Sequence, residues 1–280
     1  MKRSRFVLLA LLVLFVSSSV SAQKLTPEQL KAENEKRTRE NELIAAAFKA
    51  GNDAYAAGKY DDAIARYDEG LKALPDHPGS ISLLTNKSIA LRARGAQRYN
   101  AALTVTDAAA KSAGLSAARV DFAESVNTAR LAVTSLKALM AIAAVSPQMQ
   151  LDALKARAQS LSLYLTRVGP DVLNDAIVAW DEYLAVETVP ANVTKDRLEY
   201  AKMLFMAGEL VGASVQYRTV LASDANNVDA NGGLGLCLFG LGDETKYPEV
   251  RKYFEKFLMI APADHPWRKD IQESLAAIKN

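Results

Sequence analysis

Trp180, Tyr217 and Phe254 are spaced by 37 and 37 residues, and two further columns keep that interval: Ala176, Ala213 and Val250, and Leu184, Leu221 and Leu258. Three apolar columns in one phase mark an internal repeat. A repeat of that length confines the chain to architectures that stack one supersecondary unit on copies of itself. Within each copy the small residue, the ring and the leucine stand at i, i+4 and i+8, along one helix face. Nothing alternates with period two over the length of a strand, and no proline stands between Pro78 and Pro147. Gly and Pro gather instead at Gly58, Pro75, Gly95, Gly114, Pro147, Gly169-Pro170, Pro190, Gly208, Gly242 and Pro262. This punctuation predicts helices of about 12 to 20 residues and an all-α fold.

A fourth copy runs from Gly51 to Pro75, with Gly51, Gly58, Tyr60, Ala63, Tyr67, Leu71 and Pro75 in place. It resembles the tetratricopeptide repeat, a helix-turn-helix unit with a small residue in helix A, Gly and Tyr at the turn, Ala-x3-aromatic in helix B and a closing Pro. Each residue type has a physical reason: Gly51 and Ala63 let two helices approach, Tyr67 fills the space they leave, and Pro75 cannot continue helix B. Other copies depart from the pattern. In 78–111 Ser88, Gly95, Tyr99, Ala102 and Leu103 keep the register with two extra residues at the turn, and 194–227 matches through Ala201, Gly208, Ala213, Tyr217 and Leu221. In 228–264 Gly235, Gly242, Tyr247, Phe254, Leu258 and Pro262 match with three residues inserted, whereas 112–147 is helical without a placed repeat.

The resemblance implies a right-handed α-solenoid of stacked helix-turn-helix repeats with a C-terminal capping helix. The expected organisation is a signal peptide over 1–22, a charged N-terminal helix over 23–43, repeats over 44–111, degenerate helical repeats over 112–190, repeats over 194–264 and a cap over 265–280. Thr26-Pro27-Glu28 starts the N-terminal helix, followed by Glu33/Arg37, Glu35/Arg39 and Lys36/Glu40 at i,i+4. In the cap, Asp264-His265-Pro266 precedes a stripe of Trp267, Ile271, Leu275 and Ile278.

Lys2, Arg3 and Arg5 precede an apolar run from Phe6 to Val16, then a serine-rich stretch ending at Ala22. That run is too short for about 30 Å of hydrocarbon and reads as a secretory leader, with Val20 and Ala22 as the small residues before cleavage at Gln23. An uncleaved anchor is the alternative. Cleavage removes three of the 34 basic residues and none of the 32 acidic ones, leaving 31 against 32 and a net charge of −1. Nucleic acid is therefore an unpromising partner. The expected location is periplasmic or secreted, without stable membrane insertion after cleavage.

Two histidines and one cysteine leave too few ligands for a zinc cluster and too little for a thiol–histidine catalyst. Cys237 lies among Leu234, Leu236, Leu238 and Phe239 and reads as a buried, inert thiol. No nucleophile elbow, His-Glu-x-x-His or phosphate loop is present, and Gly232-Gly233-Leu-Gly235 sits where the repeat wants small residues for helix packing. No enzyme activity, cofactor or metal is expected. His77 and His265 each stand in an Asp-His-Pro triplet at a repeat end and read as turn residues.

The expected function is a protein-interaction scaffold or adaptor of the cell envelope that binds a partner protein or peptide on the concave helix A surface. The alternative is a structural subunit of a larger envelope assembly, joined through its convex face and terminal helices. The candidate binding residues follow i, i+4, i+7 spacing: Phe48, Asn52 and Tyr55; Thr85, Ile89 and Arg92; Leu198, Lys202 and Phe205; Gly232, Leu236 and Phe239. Aromatic and long apolar groups there would supply most binding energy. Tetratricopeptide cochaperones that hold C-terminal carboxylates use a further set of residues: Asn52 and Asn86 fall in its two asparagine places, but Phe48 replaces its lysine, Lys49 is displaced onto another face and 112 onward offers no aligned third helix. The clamp is incomplete, and both asparagines read as ordinary polar residues.

Overall fold

The computed structural model describes residues 25–278, so the leader over 1–22 and its cleavage point at Gln23 lie outside the described residues. Eleven α-helices and two short 3-10 turns make up the secondary structure of that span. The described residues divide into two compact units, 25–168 and 169–278.

The first unit contains α1 (Pro27–Ala56), α2 (Tyr60–Ala73), α3 (Ser80–Leu103), α4 (Ala108–Met140) and α5 (Pro147–Arg167). Thr26 starts α1 with a capping box, its hydroxyl accepting from the Gln29 N–H while Gln29 returns a bond to the Thr26 N–H. Arg37 pairs with Glu33 at 3.2 Å and Lys36 with Glu40 at 3.9 Å, whereas Arg39 donates to the Glu35 carbonyl instead of its carboxylate. A boundary between residues 43 and 44 is absent: no residue there breaks the helical ladder, so the charged segment and helix A of the first repeat are one helix of 30 residues. The α1–α2 turn closes at Gly58, whose φ of +74° suits glycine, with Lys59 N–H returning to the Ala54 carbonyl. Between the two helices the Tyr67 ring lies over Gly51 and packs with Ile44, Phe48, Leu83 and Leu91.

The structure corrects the second repeat. Gly95 is not a turn but the middle of α3, and the helix runs on to Leu103. A Cβ at Gly95 would stand 2.7 Å from the Phe122 ring of α4, so this glycine is a seat for a ring and not a break in the chain. The partner of α3 is accordingly the 33-residue α4, capped by Asp107 accepting from the Ala110 N–H. Asp121 of α4 is fully buried and takes both Arg94 and Arg98 of α3, while Arg94 also reaches Asp61 of α2. Two guanidinium groups on one carboxylate leave no uncompensated buried charge. Ser125 ties α4 to the Ser88 carbonyl of α3 and to Ser160 of α5, each at 2.8 Å.

The second unit contains α6 (Leu173–Leu184), α7 (Pro190–Met206), α8 (Leu210–Ser223), α9 (Val228–Gly240), α10 (Tyr247–Ile260) and α11 (Arg268–Ala277). The 37-residue columns fall on α6, α8 and α10: Trp180, Tyr217 and Phe254 are each 0% exposed, as are Ala176, Ala213 and Val250. Gly208 and Gly242 repeat the Gly58 turn with φ of +82° and +70°. Rings again sit on glycines, Tyr217 and Phe254 over Gly233 and Gly235 of α9. The terminal helix starts at Arg268, three residues later than the cap expected from His265, because the His265 ring is used by the turn that precedes it. Ile271 and Ile278 bury its inner stripe.

Candidate functional site

In the first unit α1, α3 and α5 contribute side chains to one groove of about 270 Å³. From α1 come Phe48, Asn52 and Tyr55; from α3 Ser82, Thr85, Asn86 and Ile89; from α5 Met149, Asp152, Lys155, Ala156 and Gln159. Each set recurs at three- and four-residue intervals, which is why one face of each helix supplies it.

The groove is built on the core beneath it. Phe48 is only 6% exposed, so it anchors the wall more than it offers itself to a ligand. The Tyr67 hydroxyl donates to Asn52 Oδ1 at 2.7 Å, which orients the Asn52 amide with its N–H donors remaining. Thr85 spends its hydroxyl donor on the Ile81 carbonyl. Tyr55 is half-buried with its ring 5.5 Å from Tyr60; burial pushes its phenol upward, and the charge of Arg92 opposes that. Arg92 itself reaches across to α5 and donates to Gln159 Oε1 at 2.9 Å, so it braces one end of the groove. At Asp152, burial raises the carboxyl above the ordinary range, opposed by a hydrogen bond from Gln148 and by the charge of Lys155. The arrangement offers amide donors and acceptors beside apolar and charged groups, which is chemistry for holding a polar chain along an apolar floor.

Five sequence-derived residues, Phe48, Asn52, Tyr55, Thr85 and Ile89, therefore share one groove, and Asn86 joins them. The α5 wall escaped the sequence reading. The repeat register aligns no third helix after 112, but Pro147 opens α5, which puts Lys155 on the groove with Asn52 and Asn86. The readable signal was Met149, Asp152, Ala156 and Gln159 on one face after a proline start.

The remaining candidates lie in the second unit and are engaged by their own chain. Lys202 pairs with Asp229 at 2.6 Å and lies 5.9 Å from the centre of the Trp267 ring, and Phe205 packs 6.5 Å from the same indole. Gly232 is closed over by Phe257 and Trp267, while Leu198 and Leu236 are half-buried. Phe239 points into its own hairpin, 6.2 Å from Tyr247 and 6.1 Å from Phe254, since the 3-10 turn Glu244–Lys246 brings Tyr247 beneath it. Burial pushes the Asp229 carboxyl up, but hydrogen bonds and charge from Lys202 and His265 outweigh this and hold it below the usual range. Among the described residues no cluster of three or more His, Cys, Asp or Glu side chains could hold a metal, and no helix is long and apolar enough to cross a membrane.

A stretch of 45 residues is 53% identical to tetratricopeptide repeat protein 12 of Homo sapiens, covering 16% of this chain and 6% of that protein. The chain thus spans a small part of the curated relative it matches. Among solved structures, a thermophilic TPR protein of Thermus thermophilus superposes with a TM-score of 0.39 at 17% identity, over 85% of this chain and 99% of that one. The TPR2AB domain of yeast Sti1, in a complex with pHSP90, superposes with a TM-score of 0.31 at 15% identity, over 86% of this chain and all of that one. No family profile matches the sequence. The helix hairpins close on left-handed glycine turns, and the 45-residue stretch is similar to a tetratricopeptide repeat protein.

Proposed function

We propose, taking these hairpins as tetratricopeptide repeats, that the chain is a non-catalytic interaction scaffold that acts in the cell envelope after export. Its binding site is the α1–α3–α5 groove of the first unit, which takes a peptide segment of a protein partner. The observation that carries this reading is the convergence of Asn52, Tyr55, Asn86 and Ile89 with the α5 residues Asp152 and Lys155 on one open cleft. In the second unit Lys202 and Phe205 lie against Trp267 of their own chain.

Selection of displayed peptides on the full chain should enrich binders, and Tyr55→Ala and Asn86→Ala should each weaken them about tenfold or more while the thermal midpoint moves little. Variants that bind as well as the wild type place the site elsewhere. Variants that melt early make these residues part of the core. Export has its own test. The mature protein should begin at Gln23, and deletion of residues 2–16 should retain it in the cytoplasm; an intact leader on a membrane-bound form overturns this part of the reading.

A structural role in a larger assembly has one observation in its favour: Val211 and Val215, four residues apart on α8, are 63% and 53% exposed. Co-purification as one complex of fixed stoichiometry, insensitive to Asn86→Ala, would favour it over a peptide-binding groove.

A further inference from the structure

Both histidines of the chain stand in Asp-His-Pro triplets, and the fold uses them in the same way. His77 Nδ1 accepts the Gly79 N–H at 3.0 Å, and His265 Nδ1 accepts the Trp267 N–H at 3.2 Å. The Nε2 of each meets a side-chain oxygen 36 residues earlier, Asn41 Oδ1 at 3.1 Å for His77 and Asp229 Oδ1 at 3.2 Å for His265. A ring nitrogen that accepts an N–H carries no proton, so the geometry assigns the Nε2–H tautomer, with Nε2 donating to the oxygen. Each ring thus joins three pieces of chain: the turn that holds it, the start of the next helix and the preceding helix A.

The two joints differ in one respect. An imidazolium opposite a carboxylate gains an ion pair, and one opposite an amide gains none. His77 has the amide. Burial holds its imidazole below the ordinary histidine value, against an opposing pull from Glu40 on α1. Beside it stand Asn41 and Ile44 of α1, Gly79 at the start of α3, and the exposed Asp76 next to it in the chain. A proton on Nδ1 would face the Gly79 N–H directly, so acid must break that bond.

We propose that His77 is an acid-opened joint: protonation at Nδ1 releases the Gly79 N–H, frees the start of α3 from α1 and separates the two helices that wall the groove. The joint stands on the His77 geometry alone; the consequence that acid releases a bound peptide rests on the groove reading. The sign follows from linkage. A histidine whose folded-state value is lowered stabilises the fold above its unfolded value of about 6.5, and that stability is lost as the pH falls through and below it.

Nitrogen NMR on the full chain tests the joint directly. His77 should show the Nε2–H tautomer at neutral pH and titrate below free histidine, with the Gly79 amide moving in the same transition. Asn41→Asp should raise that titration by about one unit or more. His77→Gln, which keeps an acceptor and a donor but cannot titrate, should flatten the fall of the thermal midpoint between about pH 7.5 and 5. An Nδ1–H tautomer, titration at or above free histidine, or an unchanged acid limb in a folded His77→Gln protein overturns the proposal. If the Gln variant does not fold, the wild-type titration decides. A groove-selected peptide should lose affinity in acid with the wild type, lose it at a higher pH with Asn41→Asp and keep it with His77→Gln. If no peptide binds the groove at neutral pH, the groove reading fails while the tautomer and titration still judge the joint.

Discussion

Tyr67 and Tyr217 hold the same kind of place, a ring over a helical glycine, and differ at one atom. The Tyr67 hydroxyl donates to Asn52, whereas the Tyr217 hydroxyl is buried without a hydrogen-bond partner among the described residues. Desolvation without a partner is a cost that a phenylalanine would not bear. Tyr217→Phe should therefore raise stability by about 1 kcal/mol, and Tyr67→Phe should lower it by about the same amount while releasing the Asn52 amide. Equilibrium denaturation of the two variants checks both signs. A loss in both would mean that the Tyr217 hydroxyl has a partner. Cys237 gives a second test. It is fully buried, and burial alone pushes its thiol up to about 12, so almost no thiolate exists at neutral pH. Disulfide reagents should label it only as fast as the second unit opens, and rapid labelling of the native protein would contradict its burial.

Glycine plays two roles in these helices, and that ambiguity decided what could be read in advance. Gly58, Gly208 and Gly242 end a helix in the left-handed region with open space around them. Gly95, Gly233 and Gly235 lie inside helices under rings. Punctuation by glycine therefore worked at the α1–α2 turn and over α6–α10, and failed over α3 and α4, where Gly95 and Gly114 seat Phe122 and Ala102. With two long helices passing unmarked, repeat counting lost its register before Pro147, and the α5 wall went unseen although the α1 and α3 walls were legible from helical spacing. Trp267 was legible as part of the cap's stripe, but its packing over Gly232 and beside Lys202 and Phe205 was not, since nothing in local periodicity reports where a ring from a terminal turn arrives. The two roles separate by substitution. Gly208→Ala should cost about 1–2 kcal/mol from backbone strain alone. Gly95→Ala should also destabilise, by about 1–3 kcal/mol, although alanine is the better helix former by about 1 kcal/mol, because the Phe122 ring must move. A more stable Gly95→Ala protein would show that Phe122 has room to shift.

At the scale of the whole chain, charge sets how a partner arrives. The sequence carries 34 basic and 32 acidic residues, and loss of Lys2, Arg3 and Arg5 with the leader would turn a small positive excess into a net charge of −1. Within the groove the charges of Asp152 and Lys155 are of opposite sign and oppose one another, so the site adds no strong field of its own. Electrostatic steering needs a sustained potential of one sign over a surface. Without it, a groove-selected peptide should associate with the mature protein at about 10⁵–10⁶ M⁻¹s⁻¹, the range of unsteered encounters. Raising the salt from about 0.05 to about 0.5 M shortens the Debye length several-fold and should slow that association by less than about threefold. Stopped-flow measurement at the two salt concentrations checks this. A fall of about tenfold or more would reveal a steering field, and the partner would then have to be a strongly charged chain drawn to one face, with short-range contacts in the groove secondary to that attraction.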